Sequence, residues 1–217
     1  FQTSPKSPER GVHEMKSLEA QRRRHIIDCT ITVLVRDGVA GTSLSRVASE
    51  AKVAKGIICY YFGSKDGLFD AVLARVRERM VGTVVEAAEA LEDEWQRVAA
   101  FVTGHLTYVR KHRAEVLALR HLASTRAGGS EVSDHLAVWR EQKDWLVGTL
   151  TAGQDRGAFK SFDAGVVATA ISGALESGLL QWAHDATIDL DLYAGQLLDL
   201  FEPGICEPAP EVQLASA

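Results

Sequence analysis

The sequence predicts an all-α protein of about nine helices, in which a small basic module leads a larger acidic body. Three observations carry that expectation. Apolar residues recur at i, i+3, i+4 and i+7 along nearly the whole chain. Gly, Ser and Pro fall where helix caps and stops belong. No run alternates with the period of two that a strand needs, and the β-rich patch Tyr60-Tyr61-Phe62 sits inside a helical pattern. The chain has 217 residues, 46% of them hydrophobic, which is enough for a core and too much for wholesale disorder.

The elements follow in order. Residues 1–20 carry Pro5, Pro8 and Gly11 among serines and mixed charge, and are expected to form a disordered arm. From Gln21 the pattern turns helical, with Ile27, Thr30, Ile31 and Leu34 as one stripe, and Gly38 and Gly41 end it. Ser43 caps a second helix whose buried face is Leu44, Val47, Ala48 and Ala51. Lys52-Val53-Ala54 turns the chain into a short third helix, Lys55 to Phe62. Ser64 caps the fourth, which buries Leu68, Phe69, Val72, Leu73 and Val76. Further helices are expected near 64–91, 95–111, 113–125, 131–156, 162–184 and 189–202. Gly128-Gly129, with Ser130 as the next cap, then Gly157, then Pro203-Gly204 mark the breaks, and 205–217 form a flexible tail.

Charge divides along the same line. Residues 21–66 hold eight basic and four acidic side chains, against a net −5 for the whole chain, so the acidic excess lies beyond residue 66. The domain expectation is therefore a module at 21–66 and a body at 67–204. No run approaches the roughly 20 apolar residues of a membrane helix, and no apolar leader opens the chain. Three scattered cysteines form neither a disulfide framework nor a zinc site, which points to a reducing cytoplasm. There is no phosphate loop, nucleophile elbow or His-Glu-x-x-His, and the seven histidines lack metal spacing, so neither an enzyme nor a cofactor is expected.

The motif inside the basic module is Gly41-Thr42-Ser43-Leu44, then Ala48, Ala51, Val53, Lys55-Gly56, then Tyr61-Phe62, Lys65 and Leu68. Over about 30 residues it resembles the TetR family of transcriptional regulators. That resemblance implies a three-helix helix-turn-helix DNA-binding domain followed by a helical ligand-binding and dimerisation domain. It implies a homodimer on a palindromic double-stranded operator, released by a small-molecule effector. The DNA contacts it carries over are Ser43 and Ser45 on the second helix, then Lys55, Gly56, Ile57, Cys59, Tyr60 and Tyr61 on the recognition helix, with Lys65 just beyond. Physically, Ser43 and Lys65 suit phosphates, Lys55 a base edge or phosphate, Tyr60 and Tyr61 phosphates, and Ile57 and Cys59 thymine methyls. Arg22, Arg23 and Arg24 either reach DNA or form a solvated helix end. Four departures matter. Ile57 stands where the family commonly has Thr and Cys59 where it has Tyr, which removes two polar contacts. Lys52 stands where the family has a turn glycine, which costs roughly 1 kcal/mol if that backbone is left-handed. Ala54 stands where a capping Ser is usual, which costs about 1 kcal/mol.

In the body, residues 162–184 are apolar on more than one face, so a partner subunit is the economical cover. The expected dimer interface is Ile171, Ala174, Leu175, Gly178, Leu179 and Trp182, with Leu197 and Phe201 from the last helix. The expected effector pocket is His105, Tyr108, His121, Trp139 and Glu176, polar groups among apolar stripes. Taken one at a time, each is more simply a core residue. The rival to a ligand-relieved repressor is a protein of the same fold that binds a small molecule or partner and has lost specific DNA binding. An activator shares every residue argument.

Overall fold

The computed structural model describes residues 8–126 and 133–208, with side chains at 17–122 and 140–208. Among the described residues there are nine α-helices and a single isolated antiparallel bridge, Phe159 to Cys206. The helices are α1 (Pro8–Gly41), α2 (Leu44–Ala51), α3 (Lys55–Phe62), α4 (Lys65–Glu89), α5 (Glu94–Lys111), α6 (Arg113–Arg126), α7 (Ser133–Asp155), α8 (Ala164–His184) and α9 (Leu190–Ile205). No helix among these residues is long and apolar enough to cross a membrane.

Two compact units emerge, and the boundary is not at 66. Among the described residues, one comprises 8–76 together with 114–126; the other comprises 77–113 and 133–208. The correction has a physical cause. The helix-turn-helix is too small to bury its own apolar stripes, so α4 and α6 complete its core. Ile26, Ile27, Leu34, Val47, Ile58 and Phe62 form one cluster with Leu68, Val72 and Val76 of α4 and with Ala118 and Leu122 of α6. His121 of α6 adds a polar tie, its Nδ1 lying 2.9 Å from the Leu34 carbonyl.

α1 begins at Pro8, not Gln21, so much of the expected disordered arm is helical. Pro8 suits a first helical position, where an N–H has no partner to lose. The helix breaks at Gly38 (φ 67°, ψ 179°), and Thr42 closes that end by donating its hydroxyl to the Gly38 carbonyl at 2.6 Å. Ser43 caps α2 as expected, accepting from the Arg46 N–H at 3.2 Å. Ser64 accepts from the Gly67 N–H at 3.0 Å. Arg36 bridges Asp37 and Glu50, each at 3.0 Å, and Arg46 reaches Asp37 at 3.2 Å. The Arg36 hydrogen bond and charge hold the Asp37 carboxyl below its usual range. These groups are solvent-exposed, so the network fixes the register of α2 on α1 more than it adds stability.

In the second unit, Glu94 of α5 pairs with Arg156, just past the end of α7, and Arg110 of α5 pairs with Asp191 of α9. α8 and α9 meet at Gly178, where a Cβ would come within 2.5 Å of the Tyr193 ring. Tyr193 donates its hydroxyl to the Ala174 carbonyl at 2.7 Å. Pro203 was expected to stop the last helix, yet α9 runs through it to Ile205. The segment before α8 clasps that end: Lys160 donates its ammonium to the Pro203 carbonyl at 2.6 Å and its N–H to the Ile205 carbonyl at 2.8 Å. The Gly128-Gly129 loop, the Ser130 cap, and the tail from 209 onward lie outside the described residues.

Lys52 takes the left-handed conformation (φ 54°, ψ 43°) at the C-terminus of α2, as the missing glycine foretold. Lys52→Gly is expected to stabilise the protein by about 1 kcal/mol, read as a raised midpoint in denaturant unfolding. An unchanged or lowered midpoint contradicts strain at this turn.

Candidate nucleic-acid interface and buried polar core

α3 has eight residues, too few to persist alone in water. It also lacks an N-terminal side-chain cap, because Ala54 has no group to offer. Tertiary packing holds it instead. Ile58 and Phe62 are driven into the core, burial contributing roughly 1.5–3 kcal/mol per side chain. The turn before α3 is tied by Val53 N–H to the Ala48 carbonyl at 3.0 Å. At its end, the Cβ of any residue replacing Gly67 would lie 2.2 Å from the Phe62 carbonyl, so α4 starts against α3 at a distance only glycine allows. The Arg23 guanidinium lies over the Phe62 ring, 5.1 Å from its centroid.

With 58 and 62 inward, Lys55, Gly56, Cys59 and Tyr60 face solvent. Tyr60 is 75% exposed, unusual for an aromatic residue and useful only if something covers it. Its ring meets Tyr61 edge-on at 5.2 Å. Ile57 and Tyr61 are half-buried at the flanks of this face. Ser43 and Ser45 are exposed on α2. Lys65 is more committed than expected: it is half-buried, donates to the Val39 carbonyl at 3.0 Å, and lies 5.3 Å from the Phe69 ring centroid. Arg22 and Arg24 are exposed. Arg22, His25, Val53 and Tyr61 line a surface groove of about 570 Å³ beside the turn. The residues carried over from the family motif therefore gather on one module, with a rigid inner face and an accessible outer one.

The expected effector residues fall on elements of both units. His105 and Tyr108 are buried on α5 in the second unit, whereas His121 belongs to the first. Glu176 is exposed on α8, and the Trp139 side chain lies outside the described residues. Sequence reasoning missed Gln142, 2% exposed on α7. Its spacing to Leu146 and Leu150, both fully buried, was the available signal. Phe101 stacks on Trp145 at 5.2 Å, and Tyr108 lies 4.3 Å from His112. Among the described residues, no group of three His, Cys, Asp or Glu side chains is placed to hold a metal.

The expected dimer face also needs correcting. Ile171, Leu175, Gly178, Leu179 and Trp182 are buried within this chain, while Ala174, Leu197 and Phe201 are half-buried. α8 and α9 must cover α5 and α7, and the most apolar stripe of α8 serves that purpose. Arg113 lies over the Trp182 ring at 5.5 Å. The apolar residues left to solvent are Val166 (66%) and Leu180 (43%) on α8, with Leu192 (60%) and Leu200 (71%) on α9.

Residues 26–72 match the family described as bacterial regulatory proteins, tetR family. The HTH-type transcriptional regulator BetI of Burkholderia ambifaria (strain MC40-6) is 35% identical over 85 residues, 39% of this chain and 44% of that protein. BetI of Paraburkholderia xenovorans is 39% identical over 69 residues, 32% of each chain. The chain thus spans less than half the length of the curated relatives it matches. A solved structure from Saccharomonospora viridis, assigned as a transcriptional regulator in complex with choline, aligns with a TM-score of 0.76 at 21% identity, over 87% of this chain and all of that one. The regulator FadR from Bacillus subtilis, in complex with stearoyl-CoA, aligns with a TM-score of 0.71 at 23% identity, over 84% of this chain and 98% of that one. At such identities these likenesses show the fold. The resemblance to the TetR family, first seen in the motif at 41–68, stands over the helix-turn-helix module.

Desolvation lowers the His105 pKa to about 4, below the roughly 6.5 of an unfolded histidine. As pH falls, the unfolded chain takes up this proton first. The stability that His105 contributes is therefore whole above about pH 6.5 and is lost as pH drops towards 4, by up to about 3 kcal/mol. Stability measured from pH 7.5 to 4 is expected to fall less steeply in His105→Leu than in the wild type. Parallel curves contradict a histidine held neutral by burial.

Proposed function

We propose that this chain is a sequence-specific DNA-binding transcriptional regulator, a ligand-relieved repressor that binds a palindromic operator as a dimer through helix 55–62. One observation carries the proposal. The uncapped eight-residue α3 is pinned from behind by Ile58, Phe62 and Gly67, while Lys55, Gly56, Cys59 and Tyr60 are presented outward. A recognition helix needs that combination of a locked register and a free face. Lys55, Ser43 and Ser45 then position the module on phosphates, and the flanking arginines raise its affinity at low salt. The function is binding rather than catalysis, and the compartment is the cytoplasm.

Two half-sites require two copies. The exposed residues Val166, Leu180, Leu192 and Leu200 make α8 and α9 the surface on which the second copy docks, replacing the face expected from the sequence. The effector binds in the core of the second unit and acts through α4, which contributes residues to both units. A ligand that prefers the DNA-incompetent arrangement of the dimer lowers operator affinity by population shift. Choline and stearoyl-CoA in the solved relatives support an effector of some kind without identifying it.

Binding to DNA upstream of its own gene, titrated in salt, is expected to be tight, selective and steeply salt-dependent, and weakened about tenfold or more by Lys55→Ala. Binding indifferent to sequence and to Lys55 favours the rival, a pocket protein that has lost its operator. Leu200→Glu is expected to shift the protein towards monomer in sedimentation equilibrium and to weaken operator binding with it. A Leu200→Glu protein that remains dimeric contradicts the α8–α9 surface.

A further inference from the structure

The interface of α5 and α7 holds a polar group that the packing leaves unanswered. The two helices run antiparallel. Glu94 pairs with Arg156 at one end, and Phe101 stacks on Trp145 further along, with 18° between the ring planes. Continuing that register sets His105 opposite Gln142. Both are buried, Gln142 at 2% exposure and His105 at 0%. The side-chain amide nitrogen of Gln142, Nε2, has no hydrogen-bond partner among the described residues. A buried donor without an acceptor is rare in folded proteins, and water or a ligand usually completes it.

The surrounding charge narrows what completes it. The buried acid of this unit, Glu94, is already taken by Arg156. The buried histidine is neutral at physiological pH. Among the described residues, no other buried carboxylate or cation stands in this unit. A charged head group would therefore lose its water there without gaining a counter-charge. The facing surfaces of Phe101 and Trp145 are filled by each other, so no quaternary ammonium can insert between them. A carbonyl, ether or hydroxyl oxygen, by contrast, suits the two N–H groups of an amide.

We propose that Gln142 is the polar anchor of the effector site, and that the effector is an uncharged molecule with an apolar body and one hydrogen-bond-accepting oxygen. This rests on the effector reading given above and names the class of compound that fits it. Trp145, one turn along α7, stands beside the same site and reports its occupancy.

The test uses the full chain and 6-propionyl-2-(dimethylamino)naphthalene, an uncharged fluorophore with a flat apolar body and a single ketone oxygen. Saturable binding is expected, one per subunit, with blue-shifted emission and quenching of tryptophan fluorescence. Gln142→Leu and Gln142→Met are each expected to weaken it about fivefold or more. Both variants remove an unanswered donor without changing volume much, so they should melt cooperatively at or above the wild-type temperature. Choline and stearoyl-CoA, in excess, should fail to displace the probe. Equal affinity in the variants, displacement by either charged competitor, or no saturable binding to the wild type overturns the proposal. Wild-type operator affinity is measured on the same preparation. Operator binding without Gln142-dependent probe binding sinks this proposal alone, and the reverse result sinks the regulator reading alone.

Discussion

The burial of Ile58 and Phe62 is the constraint on which the first unit depends. An eight-residue helix opening on Ala54, without a cap, cannot hold its own shape. It exists because two of its side chains complete a core that α1, α4 and α6 have already built around them. The rest of the module follows from that need. The Arg36–Asp37–Glu50–Arg46 network sets α2 on α1, α2 sets the turn, and the turn aims α3. None of these ion pairs is strong, being exposed, but each removes an alternative placement of α2 and, through the turn, of α3.

The second unit solves a different problem. The C-terminal half of α4 with α5, α7, α8 and α9 closes around apolar stripes, and among the described residues the one buried carboxylate of this unit, Glu94, is ion-paired. Its remaining buried polar groups are neutral. That choice separates a scaffold that stores little charge from a surface that carries much, and it leaves the interior responsive to shape and hydrogen bonding rather than to ionic strength.

Much of this was legible in the sequence. The helix order follows from apolar spacing, and Ser43 and Ser64 cap the helices their positions suggest. Lys52 is left-handed because the turn needs that backbone whatever residue stands there. The misses share one cause. Periodicity identifies which face of a helix is apolar but not what will cover it. Hence the stripe of α8 from Ile171 to Trp182 reads in the sequence as a face for a partner, and in the structure most of it is buried within the chain. Pro203 was taken as a stop because a clasp by Lys160, 43 positions earlier, leaves no local mark. Gln142 lay on a readable stripe, yet an amide among leucines announces burial only when the facing helix is known.

The clearance at Gly67 has a practical side. Ile58, Phe62 and Gly67 fix α3 from within, while its outer residues face solvent. Lys55, Gly56, Cys59 and Tyr60 therefore form an exchangeable cassette, four letters that can be rewritten without touching the frame that holds them. Sequence change, in evolution or in the laboratory, has an open channel at those positions and a closed one at the three behind them.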